Sequence, residues 1–530
     1  MTRRTFLGVL AGALAAPARI TVFTEDGSFP LERSGARWAA RDVLLEWEGN
    51  SLVLEAPRHA VLKLRVRWPG GLPERWRYLG DHWERSYGDL EWRAMNGDRL
   101  MPWYFLASDG KAARGWGVKT GCRALCGWQA DPAGVSLWAD VRCGGRGVRL
   151  GKRRLAVAEV VTASSERGQS PFEFGRAFCR KLAHAAVLPP APVYGWNTWY
   201  YTYGRGLTAE SVLRDAEALA SLAPAKAENR PFLMIDDGWQ EAPGAGPWTR
   251  GHAGFPDLAA LAARLRSGGV RPGIWVRPLY TAEKLPAAWR LEGNRLNRRV
   301  PDDRMVLDPS VPEVLEHVRR ETRHLARAGY EMIKHDYTTF DLFGRWGFEM
   351  TQDLTNAGWA FRDSAKTTAE VVLDLYRALR EAAGGAMLIG CNTIGHLCAG
   401  LAELHRIGDD NSGQEWSRTR RMGVNTLAFR NVQHGAFFAA DADCAPITPE
   451  TPWEMNRQWL DLLARSGTPL FVSAQPGQLS AEQREAVRRA LAEGATPRPP
   501  AEALDWMETP IPRKWRIDGK VTHYDWWAAE

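Results

Sequence analysis

The sequence predicts a multidomain protein: an N-terminal antiparallel β-sandwich, a (β/α)8 TIM barrel and a short C-terminal β extension. Three observations predict this fold class. The chain has 530 residues, more than the roughly 250 to 300 at which a single hydrophobic core stops growing. Apolar and polar residues alternate up to about residue 164, which is typical of half-buried strands. After Pro192, short apolar runs alternate with amphipathic helical stretches, which is typical of a parallel β/α architecture.

The chain begins with a twin-arginine pair, Arg3 and Arg4, followed by a short apolar stretch and small residues up to Pro17. This pattern predicts a Tat-type signal peptide at residues 1–18, and hence a bacterial secreted or periplasmic protein. The alternative is an uncleaved anchor, but the apolar stretch is well below the ~20 residues that a spanning helix needs. We therefore expect no membrane association of the mature protein.

Residues 19–170 are predicted to form the β-sandwich. Leu62, Leu64 and Val66 alternate with basic residues, and a second alternating stretch covers residues 135–141. A helical linker is expected at residues 171–191, because helical periodicity there ends at two consecutive prolines.

The barrel is predicted at residues 192–495, where helical stretches such as 208–222 and 367–383 separate eight strand candidates. The candidates are 193–197, 231–236, 270–276, 330–335, 386–391, 403–408, 435–440 and 468–473. Loops after the strands build the active site of a TIM barrel, so polar side chains at strand ends are the candidates for chemistry. The last segment, 496–530, leaves room for only two or three strands.

Composition and motifs exclude several function classes. The net charge is +7, from 69 basic and 62 acidic residues. The sequence has no long basic tract of the kind that binds a phosphate backbone, so nucleic-acid binding is not expected. The seven cysteines lack paired metal-ligand spacing, and no zinc-protease, serine-hydrolase or phosphate-loop motif occurs. Neither a metal nor a cofactor is therefore expected, and the oligomeric state is left open.

Carboxylates follow three of the strand candidates. Asp336 ends the run at 330–336, Asp409 and Asp410 follow the run at 404–408, and Asp236 and Asp237 follow the run at 232–235. Hydrolysis of a glycoside with retention needs one carboxylate to attack the anomeric carbon and one carboxyl to protonate the leaving oxygen. The strand ends therefore suggest a glycosidase.

Short motifs occur in order along this region: Gly-Trp-Asn-Thr-Trp at 195–199, Ile-Asp-Asp-Gly-Trp at 235–239 and Lys-His-Asp at 334–336. With them, the chain from about Tyr194 to about Ser473 resembles the retaining α-galactosidases (melibiases) of glycoside hydrolase families 27 and 36. The resemblance implies cleavage of terminal α-galactosides in an oligosaccharide or polysaccharide through a covalent glycosyl-aspartate intermediate.

The resemblance also implies residue roles. Asp336 would be the nucleophile, with Lys334 helping to keep it ionised. Asp409, directly after Gly408, would be the acid/base. Asp410 is its rival, because successive side chains on a strand point opposite ways and the sequence does not say which one faces the sugar.

The remaining candidates are for sugar binding. Asp236 and Asp237 would accept hydrogen bonds from the 4- and 6-hydroxyls of galactose, and Arg406 would lie near the 2-hydroxyl. The other candidates are Trp196, Trp239 and Trp275, as stacking planes or as barrel packing, and Cys391 and Asn392 after strand five. Two departures from the family, the loss of most glycines after Cys391 and the presence of Arg277, predict altered recognition of the 2-position and of the leaving group.

Related activities stay open: an α-N-acetylgalactosaminidase, a β-L-arabinopyranosidase or a transglycosidase similar to raffinose synthases. From another class, the chain would be an inactive carbohydrate-binding protein. Residues 80–89 of the sandwich are dense in polar and aromatic groups. We predict that this loop reaches over the barrel mouth with Trp83 as a contact; the alternative is interdomain packing.

Overall fold

The structure, a computed structural model, describes residues 14–224, 228–295 and 300–528. Residues 1–13, which contain most of the predicted signal peptide, lie outside the described residues. Within the described part, every helix is too short or too polar to serve as a membrane crossing.

The first part of the described chain is one antiparallel sheet of 13 strands, in the order β7-β9-β10-β13-β5-β4-β3-β2-β1-β6-β12-β11-β8. The strands are β1 (Arg19–Thr24), β2 (Gly27–Ser34), β3 (Arg37–Ala40), β4 (Val43–Glu48), β5 (Ser51–Glu55), β6 (Val61–Pro69), β7 (Arg77–Gly80), β8 (Met101–Pro102), β9 (Tyr104–Ser108), β10 (Ala113–Val118), β11 (Leu125–Asp131), β12 (Gly134–Asp140) and β13 (Leu155–Ser164).

Aromatic contacts join strands that lie far apart in this order. Trp68 of β6 packs against Trp47 of β4, with ring centroids 5.8 Å apart, and against Trp116 of β10 at 5.7 Å. The sheet therefore folds back on itself around a core, as a β-sandwich does. On β6, Leu64 and Val66 are fully buried, which agrees with the alternation predicted from the sequence.

The second part is built on a parallel sheet of nine strands, in the order β22-β21-β20-β19-β16-β15-β14-β24-β23. The strands of this part are β14 (Tyr194–Asn197), β15 (Phe232–Ile235), β16 (Arg271–Val276), β17 (Tyr280–Thr281), β18 (Met305–Val306), β19 (Met332–His335), β20 (Met387–Gly390), β21 (Leu404–Arg406), β22 (Ala439–Asp441), β23 (Cys444–Ile447) and β24 (Leu470–Ala474). Strands β17 and β18 form a separate two-stranded sheet.

Most of the described helices lie between strands of the parallel sheet; the first precedes β14 and the last follows β24. They are α1 (Pro171–Leu182), α2 (Trp199–Thr202), α3 (Ala209–Leu222), α4 (Leu258–Ser267), α5 (Pro312–Ala328), α6 (Thr338–Phe343), α7 (Thr368–Ala383), α8 (Gly395–Cys398), α9 (Trp416–Thr419), α10 (Thr426–Arg430), α11 (Trp453–Arg465) and α12 (Ala481–Gly494). Helices α3 and α7 begin one residue after the predicted start, because Thr208 and Thr367 are N-caps whose side chains accept backbone N–H groups.

The seventh strand differs from the prediction at 435–440. Its start is occupied by a turn, in which Gly435 has a φ of +72° and donates its N–H to the carbonyl of Phe438. The strand is instead divided into β22, which pairs with β21, and β23, which pairs with β24. The two ends of the sheet order are thus consecutive segments of the chain, separated by residues 442 and 443.

The C-terminal segment forms a three-stranded sheet of β25 (Glu502–Ala503), β26 (Lys514–Ile517) and β27 (Lys520–His523). Trp526 is fully buried, and its carbonyl accepts the indole N–H of Trp416 from α9 at 3.0 Å. The extension is as short as the sequence predicted, and it packs on the helices of the parallel part.

Candidate active site

The acidic residues selected from the sequence meet at one edge of the parallel sheet. Asp236 follows β15, Asp336 follows β19, and Asp409 and Asp410 follow β21. Because these strands run parallel, their carboxyl ends lie at the same edge of the sheet. The site is therefore assembled from segments nearly 180 residues apart in the chain.

Asp336 is held by two donors. Its Oδ2 accepts the indole N–H of Trp275 at 3.1 Å, and its Oδ1 accepts the backbone N–H of Tyr337 at 2.7 Å. Tyr337 has a φ of +62°, a left-handed conformation that bulky residues rarely adopt. The carboxylate is buried and fixed in orientation.

Lys334 pairs with Asp236 rather than with Asp336. Its Nζ lies 2.8 Å from Asp236 Oδ2, and the same oxygen accepts the amide N–H of Asn197 at 2.9 Å. Both ionised side chains are buried. Burial opposes the charge on Lys334, but Asp236 raises its pKa well above the usual value.

Asp237 stands next to this pair without a cation of its own among the residues that the structure describes. Its Oδ1 accepts the side-chain N–H of Gln240 at 2.5 Å. Burial raises the pKa of Asp237, and the charges of Asp236 and Asp336 raise it further. Asp237 is thus a carboxyl whose proton is held more tightly than usual.

The second pair of aspartates lies among arginines. Asp409 is bridged by Arg85, whose Nη2 lies 3.0 Å from Oδ1, and by Arg418, whose Nη2 lies 2.7 Å from Oδ2. For Asp410, Arg85 Nη1 at 3.3 Å and Arg406 Nη2 at 3.1 Å both reach Oδ1. The Asp410 side chain is 38% exposed, against 15% for Asp409.

Cations control the ionisation of Asp410. Withdrawal from water would by itself raise its pKa, but its two arginines and Lys334 lower the pKa to about 2. Burial raises the pKa of Tyr337, and the charges of both Asp336 and Asp410 add to that effect. Tyr337, directly after Asp336, therefore lies within the electrostatic reach of both carboxylates.

Behind Arg406 lies an acidic residue that the sequence did not single out. Asp443 Oδ2 is 2.9 Å from Arg406 Nη2, both side chains are buried, and the phenol of Tyr200 also donates to Asp443. Asp441, at the end of β22, has a pKa raised to about 6 by burial. Asp443 follows the end of β22 closely, and this position near a strand end was its signal in the sequence.

The loop at 80–89 does contact the parallel sheet, as predicted, but not through Trp83. The Trp83 ring is buried and packs edge-on against Trp103 at 5.3 Å, inside the antiparallel part. Within this loop it is Arg85, which sequence reasoning missed, whose side chain contacts the aspartates after β21. Its only sequence signal was the density of polar and aromatic groups in this loop.

The three tryptophans have different environments. Trp196 and Trp239 are fully buried, and their indole N–H groups donate to the backbone carbonyls of Ala474 at 3.0 Å and Trp275 at 2.9 Å. Both rings are thus engaged in packing. Trp275 is also buried, but it reaches the site by donating to Asp336.

The candidates after β20 lie behind the site. Cys391 is buried, with its Sγ 3.8 Å from Arg85 Nη1 and 3.9 Å from Arg406 Nη1, and burial raises the pKa of the thiol. The Asn392 side chain is buried and donates to Glu84 Oε2 at 2.5 Å. Asn392 therefore braces the loop at 80–89.

Arg277, the departure from the family after β16, is also engaged. It forms a buried ion pair with Asp341 at 2.5 Å and lies over the rings of Tyr280 and Tyr337, 4.0 and 4.3 Å from their centroids. Arg277 thus stabilises Tyr337, the residue after Asp336, through a cation–π contact.

Within the described residues, the side chains close enough to hold a metal ion are those of Glu283, His317 and Glu321. Arg320 Nη2 lies 2.5 Å from His317 Nδ1, and carboxylate oxygens of Glu283 and Glu321 lie 3.4 and 3.3 Å from His317 Nε2, so the histidine already has neighbours at both ring nitrogens.

Comparison with solved structures finds the same fold in α-galactosidases. TtGalA, an α-galactosidase from Thermus thermophilus solved with p-nitrophenyl α-D-galactopyranoside, has a TM-score of 0.61 and 19% identity over 96% of this chain and 99% of its own. A variant of the GH36 α-galactosidase AgaA from Geobacillus stearothermophilus, solved with 1-deoxygalactonojirimycin, has a TM-score of 0.60 and 12% identity over 91% and 76%. The sequence matches no family model and no curated protein. At the level of the fold, the predicted resemblance is confirmed.

Proposed function

We propose that this protein is a glycoside hydrolase that cleaves terminal α-galactosides with retention of configuration. The observation that carries the proposal is that Asp336, after β19, and Asp410, after β21, lie at the same edge of the parallel sheet, in a chain with the fold of α-galactosidases. A retaining enzyme uses one carboxylate as a nucleophile and a second carboxyl as acid and then base.

Asp336 is the proposed nucleophile. The N–H groups of Trp275 and Tyr337 hold its two oxygens and stabilise the ionised form. One oxygen attacks the anomeric carbon while the leaving oxygen takes a proton, and a covalent glycosyl ester of Asp336 forms. Water then hydrolyses this ester, with the second carboxyl acting as base.

Asp410 is the proposed acid/base, in place of Asp409, which the sequence pattern favoured. Both oxygens of Asp409 are engaged by guanidinium groups. In the described part of the chain, the side-chain contacts of Asp410 reach Oδ1, and Oδ2 has no hydrogen bond. Asp410 Oδ2 is therefore available to the leaving-group oxygen.

The charge state of Asp410 suits the second step directly. Its lowered pKa keeps it ionised in the empty site, which is the form that takes a proton from water. The first step needs the neutral form. A bound substrate that excludes water from this site disfavours the charge, and it thereby raises the pKa of Asp410.

The parallel sheet is interpreted as a (β/α)8 barrel. Counting β22 and β23 as one interrupted seventh strand gives eight strands, and the pairing of β22 with β21 and of β23 with β24 joins the two ends of the sheet. In a barrel of this kind the active site lies at the carboxyl ends of the strands, which is where the proposed catalytic pair is found.

Asp236 and Asp237 are the proposed acceptors for sugar hydroxyls. The carboxylate of Asp236 is already held by Lys334, whereas Asp237 has one acceptor oxygen without a side-chain donor in the described residues. Structures of relatives contain stachyose, with TtGalA, and raffinose, with an AgaA variant. These ligands support an oligosaccharide as the substrate of this protein.

Export through the Tat pathway, with residues 1–18 as the signal peptide, is part of the proposal. Replacing Arg3 and Arg4 by lysine is expected to retain the protein inside a bacterial host that exports the wild type. Cell fractionation measures this outcome, and unchanged export of the variant would contradict a Tat signal.

The first experiment is proton NMR of the purified protein acting on an aryl α-D-galactoside. The α-anomer of galactose is expected first, and initial β-galactose would contradict Asp336 as nucleophile. Asp336→Asn is expected to abolish turnover while sparing sugar binding, whereas Asp353→Asn, at a side chain that is 73% exposed, serves as the control.

A panel of substrates distinguishes the related activities. Cleavage of a substrate with a 2-acetamido group indicates an α-N-acetylgalactosaminidase, cleavage of one without the 6-hydroxymethyl group indicates a β-L-arabinopyranosidase, and transfer to an acceptor sugar indicates a transglycosidase. Binding without turnover indicates a carbohydrate-binding protein.

A further inference from the structure

The loop at 80–89 is fixed to the parallel sheet by its backbone. Ser86 donates its N–H to the carbonyl of Ile407 at 2.9 Å, and Asp409 donates its N–H to the carbonyl of Ser86 at 2.8 Å. At the start of the loop, Asp81 forms a buried ion pair with Arg430 at 2.7 Å. These contacts set the position of the loop at the end of β21.

Glu84 anchors the loop from the other side. It is fully buried, and it accepts hydrogen bonds from the phenol of Tyr87, from the N–H of Gly347 at 2.8 Å and from Asn392 Nδ2 at 2.5 Å. A Cβ on Gly347 would lie 2.3 Å from Glu84 Cγ, so the fit requires glycine there. Glu84, directly before Arg85, is thus hydrogen-bonded to the loops that follow β19 and β20.

The side chain of Arg85 extends from this anchored backbone into the site. Its guanidinium bridges Asp409 and Asp410, touches Cys391 and lies over the ring of Trp346, 5.9 Å from the centroid. The group is buried and presents a rigid fork of donors. Its position is therefore fixed by contacts with residues of the second part of the chain.

We propose that Arg85, supplied by the antiparallel part of the chain, is a positioning residue that orients Asp410 for proton exchange with the leaving group. The proposal rests on the function proposed above and adds a dependence of that function on the first domain. The groups that face Asp410 are Arg85 from the loop, Arg406 from β21, Lys334 from β19, Tyr337 after β19, Tyr200 in α2, and Asp409 beside it, with Asp443 sharing Arg406.

The sign of the expected effect follows from the charge of Arg85. A neighbouring cation favours the ionised form of a carboxyl, so removing Arg85 raises the pKa of Asp410. A general acid works in its protonated form, so the basic limb of the kcat profile, which reports the enzyme–substrate complex, moves to higher pH. The orientation of Asp410 is lost at the same time, which lowers kcat.

The test compares Arg85→Met with Arg418→Met in the full-length protein. Arg418 contacts Asp409 but not Asp410, and it is therefore the matched control. For Arg85→Met we expect the basic limb to shift upward by about one pH unit and kcat on an unactivated α-galactosyl disaccharide to fall about 10- to 100-fold. The loss should be smaller for an aryl galactoside with a good leaving group, which needs little protonation. Arg418→Met should leave the limb in place.

Two further measurements keep the test decisive. Arg85→Lys retains the charge, so it should keep the limb near the wild-type pH while kcat stays reduced, because ammonium cannot form the same fork. Carbodiimide coupling of an amine, followed by mass spectrometry, reports the protonation of Asp410 without any turnover. In Arg85→Met its half-labelling pH should rise with the basic limb.

The proposal is overturned if Arg85→Met leaves both the basic limb and the half-labelling pH of Asp410 unchanged, even when its Tm falls, because that result means that Arg85 only docks the loop. If the wild type cleaves no galactoside, the proposed function fails. The labelling comparison then still decides whether Arg85 controls Asp410.

Discussion

Two Asp-Asp pairs lie at ends of strands in the same parallel sheet, and their environments are opposite. At the end of β15, Asp236 is neutralised by Lys334, and Asp237 has a raised pKa and no cation among the described residues. After β21, both Asp409 and Asp410 are bound by arginines, and the pKa of Asp410 is lowered to about 2.

The difference teaches that the dipeptide does not determine its own chemistry. After β15, Asp236 is paired with a lysine and the pKa of Asp237 is raised. After β21, both aspartates are paired with arginines. Lys334 reaches Asp236 from β19, and Arg85 reaches the second pair from the antiparallel part of the chain, whereas Arg406 and Arg418 belong to the same segment as that pair. Three substitutions sharpen or break this comparison.

The largest effect is expected within the pair after β21. Asp410→Asn should lower kcat/KM for an unactivated α-galactosyl disaccharide by about 10³- to 10⁴-fold, because it removes the proposed general acid. Asp409→Asn, the matched control, should cost much less, since Asp409 contacts Arg85 and Arg418 rather than the proposed leaving group. Steady-state kinetics decides between them, and a greater loss for Asp409→Asn would restore the assignment made from the sequence.

The next effect concerns the pair after β15. Lys334→Met leaves the buried carboxylate of Asp236 without its cation, and we expect a loss of about 3–5 kcal/mol in the free energy of unfolding at pH 7.

Lys366→Met is the control for that measurement. Lys366 lies 3.0 Å from Asp374 and its side chain is 35% exposed, so its loss should cost under about 1 kcal/mol. Denaturant unfolding at pH 7 compares the two variants. Equal losses would mean that burial of the Lys334–Asp236 pair has no energetic consequence.

The smallest effect is expected for Asp237→Asn. Because the folded-state pKa of Asp237 is raised, its contribution to stability is present at low pH and is lost as the pH rises through that pKa. At pH 7 the asparagine variant should therefore be more stable, with a Tm higher by about 1–3 °C. The gain should vanish near pH 4, about the ordinary pKa of aspartate.

The same variant should lose activity, by about 10- to 100-fold in kcat/KM, since the carboxyl proposed to accept a sugar hydroxyl is replaced by an amide. Thermal unfolding and kinetics on one protein sample measure both outcomes. A lower Tm at pH 7 would show that Asp237 stabilises the fold and would break the contrast with Asp410.

Much of this molecule follows from local patterns in the sequence. The alternation in β6, the helices α3 and α7 to within one residue at their starts, and the acidic residues after β15, β19 and β21 were all predicted, because periodicity and strand ends depend on neighbouring residues. The division of the seventh strand was not, because it depends on pairing with β21 on one side and β24 on the other.

Only the tertiary structure decided the surroundings of each carboxyl. That both oxygens of Asp409 are paired with arginines while the contacts of Asp410 reach Oδ1, that Trp196 and Trp239 are packed inside, and that Arg85 crosses from one part of the chain to the other became visible only in the structure. A pattern in the sequence names the side chains that are available, whereas a pKa depends on distance and burial, and these exist only once segments more than 300 residues apart have packed together.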